Sequence, residues 1–269
     1  MRPNRRSRPQ TLACLLALAA GGCRVPAPAP APQHAPAEVR QPLSWRVAAA
    51  HLEDLFERIP GSSIEDFRQA IPEEERRLIN ESHGAEGVAE DKAYVYGEPS
   101  PAATDAILRR LGAGPDDVLF DLGSGRAFFL MQALLTTPLR RAVGVELSAS
   151  RAEISRQARA LLLGRHLLAP GQTLEIRQED MALTDVSGCT LVFMDSVFYS
   201  DKLLMTVARR LAEAGTVKRI AMIQKGLPPN PWFELEGTER LKMSWSPRFG
   251  TDVLFFRSRR GASSIPNTP

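Results

Sequence analysis

Cysteine is scarce in this chain, with three in 269 residues. Cys14 and Cys23 fall near the N-terminus, which leaves Cys189 without a partner in the rest of the chain, so no internal disulfide framework can form. Standing alone, Cys189 reads as a small buried residue rather than a nucleophile. The four histidines, His34, His51, His83 and His166, are scattered, and no His/Cys cluster has metal-ligand spacing. No internal repeat is visible. Residues 1–23 contain no acid, yet hold Arg2, Arg5, Arg6 and Arg8. Without those four arginines the formal charge of +3 becomes 30 basic against 31 acidic residues, a net of −1. The basic balance therefore belongs to the N-terminus and is no signature of nucleic-acid binding.

What is present at the N-terminus reads as a targeting segment. The arginines precede an apolar stretch, residues 11–20, that is too short to span a bilayer. Ala20-Gly21-Gly22-Cys23 is similar to the small-residue box before the lipidated cysteine of bacterial lipoproteins. Residues 1–23 are read as a signal peptide. Residues 24–43, rich in alternating Pro and Ala, are read as an extended linker. This gives a membrane-anchored, extracytoplasmic lipoprotein held through lipid on Cys23. The alternative is an over-extended gene start before a cytoplasmic protein; the next methionine is Met131, so that form needs a non-Met start.

Beyond the linker the chain is long enough for one sizeable core. Residues 44–90 predict a small helical cap: Val47, Leu52, Leu55, Phe56 and Ile59 recur at helical spacing, and Pro60-Gly61 ends the run. From residue 100 strands and helices alternate. Strands are predicted at 118–121, 142–146, 174–177, 190–195 and 219–223, with helices at 102–111, 127–135, 150–163 and 202–214. Such alternation predicts an α/β fold with a doubly wound, mostly parallel sheet covered on both faces. Residues 240–245 and 252–257 then read as a hairpin joined by 246–251. The main domain is placed at 91–258 and a disordered tail at 259–269.

One stretch carries more than the rest. Val118-Leu119-Phe120 delivers Asp121, and Gly123-Ser124-Gly125 follows at once. A buried strand thus brings an acid and a side-chain-free loop to one point. The next apolar run ends in Glu146, 21 residues after Gly125. In an open parallel sheet ligands sit outside the carboxyl ends of the strands, and Asp121, Glu146, Asp180 and Asp195 all lie at or just past predicted strand ends. A dinucleotide fingerprint needs a third glycine where this chain has Phe128. A ligand with a ribose and no phosphate, S-adenosylmethionine, accounts for both the two-glycine loop and the acids.

At this point the chain resembles the class I, seven-stranded methyltransferases over about residues 92–258, nearest to the non-SET histone lysine methyltransferases. The likeness rests on six segments. They are Val95-Tyr96-Gly97-Glu98-Pro99-Ser100, Asp121 to Gly125, Gly144-Val145-Glu146, Glu179-Asp180-Met181, Val192 to Phe198, and Ser244-Trp245. The resemblance implies a seven-stranded sheet with an antiparallel C-terminal hairpin. It also implies roles. Tyr96, Glu98, Asp121, Gly123, Ser124, Gly125, Glu146, Asp180, Met181 and Asp195 would bind the cofactor. Among these, Glu98 and Asp121 would hold its ammonium, Glu146 the ribose hydroxyls, and Asp180 and Met181 the adenine. Asp195, at the sulfonium end, and Tyr96 would be the catalytic pair. Tyr94, Tyr96, Phe198, Tyr199, Trp232 and Trp245 could line an acceptor channel.

Three positions depart from the family pattern. Asp195-Ser196 replaces paired asparagines, Arg126-Ala127-Phe128 replaces the usual glycine and glutamine, and Phe249 is the nearest candidate for a second channel aromatic. No long basic tail for gripping nucleosomes is present, which speaks against a histone substrate, and no Asn-Pro-Pro-Tyr type motif is present, so nucleic acid is not the expected acceptor. The expected activity is methyl transfer to an amine acceptor, a protein lysine or another amine. A small-molecule acceptor and an inactive, membrane-tethered binding module are the alternatives.

Overall fold

The central strands of the sheet are almost wholly buried, because helices cover them from each side. The computed structural model describes residues 41–69, 71–83 and 95–259, with the side chains of residues 68 and 69 left aside. Residues 1–23, read above as a signal peptide, most of residues 24–43, Tyr94 and residues 260–269 lie outside the described residues. Seven strands form one sheet: β1 (Val118–Leu122), β2 (Arg141–Glu146), β3 (Thr173–Gln178), β4 (Leu191–Met194), β5 (Arg219–Ile223), β6 (Phe233–Met243) and β7 (Ser246–Ser258). Their order is β3-β2-β1-β4-β5-β7-β6. The first five run parallel, and β7 joins β5 antiparallel. The order reverses beside β1, which pairs with both β2 and β4, and this opens a crevice at their carboxyl ends.

Among the described residues seven helices accompany the sheet: α1 (Trp45–Phe56), α2 (Ile64–Gln69), α3 (Glu73–His83), α4 (Pro101–Leu111), α5 (Phe128–Thr136), α6 (Ala149–Gly164) and α7 (Asp201–Ala214). Serines 44, 100, 148 and 200 cap α1, α4, α6 and α7, each side-chain oxygen accepting from a backbone N–H three residues on. Helix α5 has no such cap and is buried from Phe128 through Leu135; it starts directly from the glycine loop. One apolar cluster joins α1, α4, α5 and α6 to the sheet, and a second joins α7 to it. Leu52, Leu55 and Phe56 place α1 inside the first cluster. Each contributes about 1.5–3 kcal/mol of burial, which ties the N-terminal helix into the main core.

The hairpin differs from the sequence reading. Its turn is at Ser244-Trp245, with Met243 paired to Ser246, and the predicted linker 246–251 is part of β7. Residues 247–249 are exposed, so no apolar alternation marks them as strand. Among the described residues no helix is long and apolar enough to cross a membrane.

Candidate functional site

The chain after β1 makes the tight loop that its glycines require. Gly123 has φ 98° and Gly125 φ 52°, both in the left-handed region where glycine is unstrained. Gly123 N and Ser124 N donate to Val145 O at 2.8 and 3.0 Å, which folds the loop over the end of β2. A Cβ at Gly123 would collide with the Tyr199 hydroxyl, and one at Gly125 with the Tyr96 ring. Against this loop lies a cavity of about 610 Å³, walled among others by Tyr96, Glu146, Met181, Asp195, Tyr199 and Trp245.

The structure brings the predicted acids to this place in different ways. Glu146 lines the cavity. Its two oxygens each take one backbone N–H, from Gly125 and Ser148 at 2.8 and 2.9 Å. A carboxylate has about four acceptor sites, so both oxygens retain capacity for hydroxyl donors. Asp195 also lines the cavity, and burial pushes its carboxyl up to about 7. Asp121 is 2% exposed and sits behind the wall. Its Oδ1 has no hydrogen-bond partner among the described residues. Burial raises its pKa well above the usual carboxylate range, and the charges of Glu146 and Asp195 add to that.

Two acids are placed otherwise than the resemblance implies. Asp180 Oδ1 accepts from Ala182 N at 2.8 Å and lies 3.2 Å from His83 Nε2. The histidine holds this carboxyl below its ordinary range. Glu179 and Met181, its neighbours, face the cavity instead. Glu98 is held by Arg126, whose Nε donates to Oε2 at 2.9 Å and whose second terminal nitrogen donates to Oε1. Tyr96 Oη donates to the same Oε2 at 2.7 Å. A buried cation thus already engages Glu98, whereas among the described residues Asp121 and Asp195 pair with no cation. Burial first, then Glu98, raises the Tyr96 phenol well above its usual value, so it stays neutral.

Of the aromatic candidates, Tyr96, Phe198, Tyr199 and Trp245 line the cavity. Trp232 packs on the α7 side of the sheet instead. Phe249 is 75% exposed; the turn at Ser244-Trp245 carries it away along β7.

Sequence reasoning missed several residues of this region. Ile79 and His83 of α3 wall the cavity, as does Arg151 near the start of α6. Glu75 secures α3 there, accepting from Ser150 N at 3.2 Å and from the hydroxyls of Ser148 and Ser150. Arg126 reaches back to Ser62 O at 3.1 Å and lies over the Phe56 and Phe128 rings. Its one sequence signal was a large basic residue inside an otherwise small and apolar loop.

The residues fit S-adenosylmethionine. The orphaned Asp121 oxygen and the buried Asp195 carboxyl suit a cationic guest, the glycine loop lets an aminoacyl chain reach backbone, and Glu146 retains acceptors for ribose hydroxyls. Strand order, crevice and carboxylates together define an S-adenosylmethionine-dependent methyltransferase. More particularly, the chain belongs to the family of the histone methylation protein DOT1, which matches residues 88–230, more than half of its length. No curated protein matches this chain. Similar solved structures include an RNA methyltransferase from Salinibacter ruber in complex with S-adenosyl-L-homocysteine. It is 21% identical, with 63% of this chain and 96% of that one covered at a TM-score of 0.47. TrmN from Thermus thermophilus is 15% identical, with 59% and 49% covered and a TM-score of 0.45. A dimethyladenosine transferase from Plasmodium falciparum is 10% identical, with 64% and 66% covered and a TM-score of 0.47.

Asp195 makes cofactor binding sensitive to pH. With its carboxyl at about 7 in the free protein, acid keeps it neutral. A cationic guest favours the ionised form, so binding expels the proton. Affinity for S-adenosylmethionine should rise with pH below 7, by at most about tenfold per unit, and level off above. S-adenosylhomocysteine, without the sulfonium charge, should show a shallower slope. Calorimetric titration across this range checks both; equal, flat profiles would mean Asp195 does not face the charge.

Proposed function

We propose that the methyl acceptor is an amine, and a protein lysine in the first place. One observation carries this reading: the cavity combines a buried carboxyl on its wall, Asp195, with four aromatic side chains, Tyr96, Phe198, Tyr199 and Trp245. Bound S-adenosylmethionine supplies an electrophilic methyl carbon for in-line displacement, a reaction in which alignment provides much of the catalysis. The acceptor must arrive with a free lone pair, whereas lysine is ordinarily protonated up to a pKa of about 10.4. An aromatic wall disfavours the ammonium form by desolvation. The phenols add no counter-charge, since burial raises both Tyr96 and Tyr199 well above their usual pKa. Trp245 is fixed against the loop that carries Tyr96: a Cβ at Gly97 would collide with its ring, and Ser244 N donates to Glu98 O at 3.1 Å.

The test is transfer from tritiated S-adenosylmethionine to cell-lysate fractions, followed by hydrolysis and mass spectrometry. Methyl-lysine in the protein fraction is the expected product. Label confined to RNA or to small molecules would overturn the lysine acceptor. Absence of any label, with the cofactor bound, would favour a binding module.

A further inference from the structure

Gln224 sits where glycine would be the cheaper residue. It follows β5 directly, and its φ of 63° lies in the left-handed region. That conformation costs a residue with a side chain on the order of 1 kcal/mol or more. The turn is held from several sides. Gln224 N donates to Asp252 O at 2.7 Å, and Lys225 N to Ile223 O at 2.7 Å. The Ser196 hydroxyl lies 2.6 Å from Lys225 O and 3.2 Å from Ile223 O. Lys225 Nζ donates to Tyr199 O at 2.6 Å and pairs with Asp201 at 2.8 Å.

Gln224 is exposed, it lines the cavity, and among the described residues its carboxamide has no hydrogen-bond partner. The parallel register of Met194 with Met222 sets the ends of β4 and β5 side by side. Gln224 and Asp195 therefore lie on neighbouring strand ends around the same cavity. A strained turn kept by this many contacts, ending in an unused polar group at a cavity wall, points to a use in what enters the cavity.

We propose that Gln224 is an acceptor-binding residue, its carboxamide oxygen taking a hydrogen bond from the amine that receives the methyl group. The inference rests on the amine reading above. A carboxamide suits the task because it is a neutral acceptor. It orients an N–H without stabilising the ammonium form, as a carboxylate would. Ser196, one of the positions that departs from the family pattern, then acts through Gln224 by pinning its turn.

The probe is n-butylamine, the end of a lysine side chain without its backbone. It is titrated into the full chain saturated with S-adenosylhomocysteine, and the Gln224 side-chain amide is followed by nitrogen-15 NMR. The amide signals should shift saturably. Gln224→Ala should weaken amine binding roughly tenfold, the loss of one well-formed hydrogen bond, with homocysteine-cofactor affinity unchanged. Gln224→Gly should lose as much while melting no lower than the parent, which separates the contact from the turn. Butylamine that fails to bind, or that binds Gln224→Ala as tightly as the parent, overturns the proposal. If the amine binds through Gln224 and no lysine is methylated, the lysine acceptor falls and this contact stands.

Discussion

Arg126→Ala should lower the melting temperature on the order of 10 °C. Arg126 is 6% exposed. It makes two hydrogen bonds to Glu98 and a third to Ser62 O, and lies over two aromatic rings. Truncation leaves the Glu98 carboxylate buried with only the Tyr96 hydroxyl retained among these partners. Breaking one side of a buried ion pair costs about 3–5 kcal/mol, and a domain of this size loses about 2–4 °C per kcal/mol. Glu98→Gln in the Arg126→Ala background should restore much of the loss, because the second change removes the stranded charge. Thermal unfolding of the two single variants and the double decides the matter. A fall within a degree for Arg126→Ala, or no recovery in the double, would show that the pair is not coupled as drawn. The cofactor should also bind the single variant less tightly, since Arg126 steadies the loop carrying Tyr96 and Glu98 without itself lining the cavity.

That pairing marks where the sequence stopped being legible. Local signals carried the parallel half of the fold. Apolar runs ending in Asp121 and Glu146, serine caps and the glycine loop are each written within a few residues, and the structure places strands and helix starts accordingly. Contacts between distant segments left no such mark. Glu98 and Arg126 are 28 positions apart, and His83 and Asp180 are 97 apart. Neither pair shares a helical or strand period, so the acids could be placed at strand ends but not assigned partners. The same limit explains α3. Its Glu73, Glu74 and Glu75 have the composition of a solvated face, yet Glu75 is spent on the start of α6. Gln224 was invisible for another reason: nothing in an Ile-Gln-Lys sequence announces a left-handed residue.

Asp121→Asn should separate function from stability, moving them in opposite directions. Asparagine is close to isosteric, so the strand and glycine loop should keep their geometry. Cofactor affinity should fall roughly a hundredfold, about 3 kcal/mol, which is the scale for removing one side of a desolvated charge pair. The apo domain should gain stability instead. The native state raises the Asp121 pKa well above its value of about 3.9 in an unfolded chain. Ionisation is therefore easier when unfolded, and the native state loses stability through this group as pH rises above that value. Asparagine cannot ionise and escapes the penalty. Its stability gain should be several degrees at about pH 8 and should vanish towards pH 4. Calorimetric titration gives the affinity and melting curves at the two pH values give the stability. A variant that binds the cofactor normally would place the cation elsewhere. A variant less stable than the parent at high pH would mean that the Asp121 carboxylate is already compensated in the folded chain. The conflict between the two effects is physical: a carboxyl held without a protein partner weakens the empty fold for the same reason that it attracts a cationic ligand.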